Sequence, residues 1–140
     1  MNWYIKVLRQ YADFSGRARR MEYWMFSLFH TLFLCSLFFV EAVVGSTIGF
    51  FSFGIGAILY YFGTIIPALA VTVRRLHDVG KSGWWFLISF VPLIGPIWFL
   101  ILTLTEGEHG PNPWGSDPKR PEESEEDVID QFGKIHEEEF

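Results

Sequence analysis

Arg74-Arg75-Leu76-His77-Asp78-Val79-Gly80-Lys81-Ser82-Gly83 is a polar island between apolar stretches. Residues 43–73 before it and 84–105 after it contain no Asp, Glu, Lys or Arg. Further upstream, residues 24–40 are also uncharged, with Glu41 following. A helix crosses the hydrocarbon of a bilayer in about 20 residues, so each stretch is long enough to span. The fold class that follows is an all-α membrane protein with three transmembrane helices. The spans are expected at about 23–44, 50–73 and 84–104, behind a short interfacial helix over 1–12. Residues 1–118 then form one membrane domain, and 119–140 a flexible acidic tail whose composition favours disorder.

The interfacial helix is read from Trp3, Tyr4, Val7, Leu8 and Tyr11, which recur on one helical face, with Lys6 and Arg9 beside them. Gly16 eases a turn before Arg17, Arg19 and Arg20. Glu22, Tyr23 and Trp24 follow where the first span enters the bilayer. Trp3, Tyr23, Trp24, Trp84 and Trp85 suit the headgroup level as anchors. The first apolar run lacks a small-residue cleavage signal and is expected to be retained. Gly45-Ser46-Thr47 reads as the turn after it, and Glu41 as reaching the far headgroups. Pro67 is expected to kink the second span and to free a carbonyl that needs a partner inside the protein. Pro92, Gly95 and Pro96 make a uniform third helix improbable. Residues 106–118, rich in Gly and Pro, read as turns.

The net charge of −5 hides an asymmetry. Lys6, Arg9, Arg17, Arg19 and Arg20 stand against Asp13 and Glu22 in residues 1–23, whereas residues 105–140 hold twelve acids against Lys119, Arg120 and Lys134. Basic residues in short loops mark the cytoplasmic side, which places residues 1–23 and 74–83 there. With three spans the C-terminus is external. No nucleic-acid recognition pattern is present. Cys35 is the only cysteine, so an intrachain disulfide is excluded.

The candidate site is the polar cluster of Arg17, Arg19, Arg20, Glu22, Arg74, Arg75, His77, Asp78 and Lys81, with Gly16, Gly80, Ser82 and Gly83 shaping its loops. Arginines make planar bidentate contacts with phosphates and carboxylates, and anionic lipid attracts them by roughly 1 kcal/mol per residue near the surface. Asp78 and Glu22 are read as orienting the arginines, and Ser82 as capping the third span. The leading expectation is a non-enzymatic protein whose cytoplasmic basic site holds anionic lipid headgroups or a protein partner. One alternative is a small transporter, channel or accessory subunit acting as a homo-oligomer or with a membrane-protein partner. Another is a membrane enzyme using His77 and Asp78. No metal, cofactor or catalytic set is expected, because too few ligands or activated nucleophiles converge.

The chain resembles the DUF805 family of small bacterial inner-membrane proteins. The resemblance is carried by Phe14-Ser15-Gly16-Arg17 followed by Glu22-Tyr23-Trp24, and by the block from Pro67 through Arg74-Arg75-Leu76-His77-Asp78-Val79-Gly80-Lys81-Ser82-Gly83-Trp84-Trp85. Pro92-Leu93-Ile94-Gly95 and Gly107-x-x-Gly110-Pro111-Asn112-Pro113-Trp114-Gly115 continue it, so it covers about residues 3–118. It implies a multi-pass inner-membrane protein and supplies no activity, ligand or catalytic assignment.

Overall fold

The computed structural model describes residues 2–48 and 54–120. The elements are α1 (Asn2–Arg9), α2 (Arg20–Ile48), α3 (Ile55–Asp78), a 3-10 helix (Gly83–Phe90) and α4 (Ile94–Leu104). Among the described residues the fold is all-α, apart from an isolated bridge between Asn112 and Gly115. Two helices, α2 and α3, are long and apolar enough to cross a membrane. The chain forms two units: Met1–Asp13 with Met21–Val71, and Phe14–Arg20 with the chain from Thr72 onward. Helix α3 runs from one into the other.

In the first unit α1 turns Val7 fully inward. Tyr4 stacks on Phe26 at 5.3 Å, and His30 stacks on both Phe26 and Tyr60. The Tyr4 and Tyr60 hydroxyls lie 2.8 Å apart, with His30 Nδ1 3.1 Å from the latter. Lys6 donates to the buried Glu22 carboxylate at 2.5 Å. The expected interfacial helix is shorter than 1–12, since a turn begins at Gln10. Tyr11 therefore lies outside α1, and its hydroxyl donates to the Gly63 carbonyl at 2.7 Å. That carbonyl is four residues before Pro67, which has no N–H to offer it. The tyrosine replaces the hydrogen bond that the proline removes, so α3 continues through Pro67 to Asp78.

Several boundaries differ from expectation. Gly45-Ser46-Thr47 is not a turn: α2 continues to Ile48. Ser46 Oγ donates back to the Val43 carbonyl at 2.7 Å, and one glycine costs a long helix only about 1 kcal/mol. The connection to α3 falls outside the described residues. Glu41 does not simply reach outward; its carboxylate accepts the Gly56 N–H at 2.6 Å in the first turn of α3. An otherwise unsatisfied helix N-terminal donor gains an acceptor there. Helix α3 extends past residue 73 and absorbs Arg74, Arg75, His77 and Asp78. It stops in a Schellman motif: Gly80 takes φ +68°, its N–H bonds the His77 carbonyl, and the Lys81 N–H bonds the Leu76 carbonyl.

The third expected span is not one helix. The 3-10 helix and α4 pack against each other as a hairpin. Leu93, at the bend, has φ +67° and is the only non-glycine among the described residues with positive φ. A Cβ on Gly95 would lie 1.9 Å from the Ile88 carbonyl oxygen, so only glycine permits this approach of the two legs. Pro96 sits in the first turn of α4, where a missing N–H costs nothing. The acidic segment 121–140 lies outside the described residues.

Candidate functional site: a buried arginine cluster

The second unit is organised around Asp78. Its carboxylate accepts Arg17 Nε at 3.1 Å and, on the other oxygen, Arg75 Nη1. Two guanidinium groups thus share one carboxylate, and all three side chains are nearly or fully buried. A buried charge requires every donor to be satisfied. Backbone carbonyls supply the remaining acceptors. Arg17 donates to Gly110 O at 2.6 Å and to Glu108 O. Arg75 donates to Thr103 O at 3.2 Å and to Thr105 O, and Arg20 to Leu104 O at 3.2 Å. Thr103 and Leu104 end α4, where carbonyls lack intrahelical partners and carry the negative end of the helix dipole. The arginines therefore cap α4.

Backbone contacts tighten the same region. The Ala18 N–H bonds the Arg74 carbonyl at 3.0 Å, and the Glu108 N–H bonds the Asp78 carbonyl at 2.8 Å. A Cβ on Gly107 would lie 2.1 Å from Asp78 Oδ2, so this glycine lets the chain pass the carboxylate. Arg19 donates to the Pro118 carbonyl. Lys119 donates to the exposed Glu106 carboxylate, which holds Glu106 below the ordinary carboxyl pKa.

His77 points to different partners from Asp78. Its ring stacks on Trp114 at 4.9 Å and its Nδ1 donates to the Gly16 carbonyl at 3.2 Å. Asn112 donates to the His77 carbonyl at 2.9 Å and accepts the Trp114 N–H at 3.0 Å. Lys81 stays at the surface, its ammonium 5.8 Å from the Trp85 ring centre. Ser82 precedes the 3-10 helix but makes no side-chain cap, contrary to expectation.

Arg17, Arg75, His77 and Asp78, drawn from the candidate cluster, are thus brought together, with Gly16 and Gly80 shaping the turns. Arg74 is buried beside them in the sequence. Glu22 belongs to the first unit, where Lys6 meets it. Sequence reasoning missed Thr103, Glu108, Gly110, Asn112 and Trp114. For all but Thr103 the signal was present in the Gly107–Gly115 motif, which has glycines where a buried carboxylate and carbonyls must come close. Among the described residues no three His, Cys, Asp or Glu side chains converge as a metal site would require.

The family described as "Protein of unknown function (DUF805)" matches residues 11–116, which contain the entire arginine cluster up to Gly115. The inner membrane protein YhaI of Escherichia coli (strain K12) is 43% identical over 119 residues, covering 85% of this chain and 97% of the relative. The inner membrane protein YhaH of the same strain is 40% identical over 120 residues, covering 85% and 98%. No solved structure gives a significant match. With its two membrane-length helices and these relatives, the chain is a multi-pass protein of the bacterial inner membrane and belongs to the DUF805 family.

Proposed function

We propose that the chain is a non-enzymatic inner-membrane protein that holds anionic phospholipid headgroups on its cytoplasmic side through α1. The observation that carries this reading is the outward face of α1. Asn2, Ile5, Lys6, Arg9 and Gln10 line an open hollow of about 440 Å³, while Val7 on the opposite face is buried. Residues 2, 5, 6 and 9 share one helical face, so two cations, an amide and an aliphatic side chain are presented together, with the Gln10 amide just past the helix end. This is the chemistry of a phosphate with an acyl chain beneath it. The anionic-lipid role read from Arg17, Arg19, Arg20, Arg74 and Arg75 passes to Arg9 with Lys6 beside it: every guanidinium nitrogen of Arg17 and Arg75 is engaged within the protein, whereas Lys6 gives one bond to Glu22 and keeps its side chain 46% exposed. Arg17 and Arg75 brace the fold instead. The cytoplasmic assignment rests on Lys6, Arg9, Arg17, Arg19, Arg20 and Lys81 in short flanking segments.

The test is native mass spectrometry of gently extracted protein with lipid identification, comparing the natural chain with R9Q and K6Q/R9Q. Selective retention of phosphatidylglycerol or cardiolipin, reduced in R9Q and lost in the double variant, is expected. Equal retention in all three at unchanged helicity would sink the reading. The same spectra report whether copies or other membrane proteins co-purify.

A further inference from the structure

We infer that Gly83–Leu104 is a re-entrant hairpin that enters and leaves the membrane on the same face, with its apolar surface fitted to the acyl chains of that single leaflet. This inference stands on the geometry of the arginine cluster and is independent of the headgroup site on α1.

Both ends of the hairpin meet at the cluster. At the entry, Gly83 is buried against Val73, one residue before Arg74; a Cβ on it would lie 2.7 Å from Val73 Cγ1. At the exit, Thr103 O and Thr105 O accept Arg75, and Leu104 O accepts Arg20. Three residues later the Glu108 N–H reaches Asp78 O at 2.8 Å, and Arg17 holds Gly110 O at 2.6 Å. A chain that left residue 83 for the opposite face could not place residues 103–110 against residues 75–78 and 17.

The lengths agree. The first leg has 8 residues, and a 3-10 helix rises about 2.0 Å per residue, giving roughly 16 Å. The second has 11 residues, and an α-helix rises about 1.5 Å per residue, again roughly 16 Å. Each leg is half of a hydrocarbon core of about 30 Å. At the bend three of the four N–H groups between 91 and 95 are satisfied internally: those of Val91, Ile94 and Gly95 bond Ile88 O, Pro92 O and Val91 O at 2.8–2.9 Å, and Pro92 has no N–H to satisfy. Non-helical backbone at membrane depth needs such internal partners. The side chains around it face outward: Phe90 is 75% exposed, Leu93 86%, Ile94 67% and Ile97 63%. Residues 84–105 carry no Asp, Glu, Lys or Arg. A surface this apolar is compatible with lipid and not with water. The corollary replaces the expected external C-terminus: residues 105–120 lie on the same side as residues 14–20.

The test uses single cysteines in a C35A background. Ser15→Cys and Ser116→Cys are exposed to a membrane-impermeant maleimide in right-side-out and in inverted membrane vesicles. Labelling of both in inverted vesicles, with loss of labelling of both in right-side-out ones, is expected. Labelling of positions 15 and 116 from opposite sides overturns the inference, and His109→Cys repeats the test if Ser116→Cys does not accumulate. Leu93→Cys and Ile97→Cys, labelled with a nitroxide in detergent and reconstituted, then report depth. Accessibility to oxygen rather than to a water-soluble nickel complex, at a depth near the bilayer centre, is expected for both. Preferential accessibility to the nickel complex at both positions overturns the inference.

Discussion

Residues 43–73 and 84–105 are equally free of charge, yet they are built differently. The first contains most of a 24-residue helix, whereas the second is divided into legs of 8 and 11 residues. Proline alone does not explain this, since α3 contains Pro67 and remains a helix. What separates them is the fate of the backbone groups around each proline. At Pro67 the orphaned Gly63 carbonyl finds the Tyr11 hydroxyl, and the helix goes on. Around Pro92 the chain instead folds back, with Leu93 in the left-handed region and Gly95 against the Ile88 carbonyl. Hydropathy identifies the segments that belong in lipid; hydrogen-bond partners and close approach decide how they run there.

The strongest way to break the contrast is Asp78→Ala. Removing the carboxylate leaves the buried guanidiniums of Arg17 and Arg75 without their counter-charge, a loss of about 3–5 kcal/mol. Hydrogen exchange in detergent should show amides of residues 84–110 losing protection while those of residues 25–45 keep theirs. Uniform protection across both would contradict a local role. Next in size is Gly95→Ala, whose methyl meets the Ile88 carbonyl and should lower stability by about 1–3 kcal/mol. Its control is Gly63→Ala, where a Cβ meets nothing within 4 Å and greater helix propensity should stabilise by up to about 1 kcal/mol. Thermal unfolding of the two variants should therefore move in opposite directions.

Tyr11→Phe sharpens the comparison from the other side, costing about 1 kcal/mol by leaving the Gly63 carbonyl unpaired. The loss should shrink in a Pro67→Ala background, where residue 67 regains an N–H for that carbonyl; an additive double-mutant cycle would refute the compensation. The smallest effect belongs to Glu106→Gln. Glu106 has its folded pKa lowered by Lys119, so its contribution is present above the unfolded carboxyl pKa and is lost as pH falls through the lower folded value. The pair is exposed, so the variant should differ slightly from the natural chain at neutral pH and not at all in acid.

The long helices and the residues of the cluster were legible in the sequence because charge-free length and a compact polar block are local properties. Gly80 was legible as a turn residue but not as the stop of α3, which was expected to end at 73; the left-handed C′ position that ends the helix selects glycine there. The continuation of α2 through Gly45-Ser46-Thr47 was not, because Ser46 finds its acceptor one turn back and three residues of weak propensity cannot end a long helix. Pro92, Gly95 and Pro96 signalled a break, but not the return. The return depends on Arg75 meeting Thr103 and Thr105, contacts that no local pattern encodes. Charge counting likewise picked out Arg17 and Arg75 without distinguishing surface cations from buried braces.

The carbonyl acceptors of the arginines also impose an order on biosynthesis. Arg75 is made 28 residues before Thr103 and 30 before Thr105, and Arg17 is made 91 before Glu108 and 93 before Gly110. Between residues 78 and 103 the ribosome has delivered the cations and Asp78 but not the carbonyls that complete their shell. Chains arrested before residue 103 are therefore expected to lack every carbonyl that closes the cluster, so the hairpin can be fastened only after the segment 103–110 has been made.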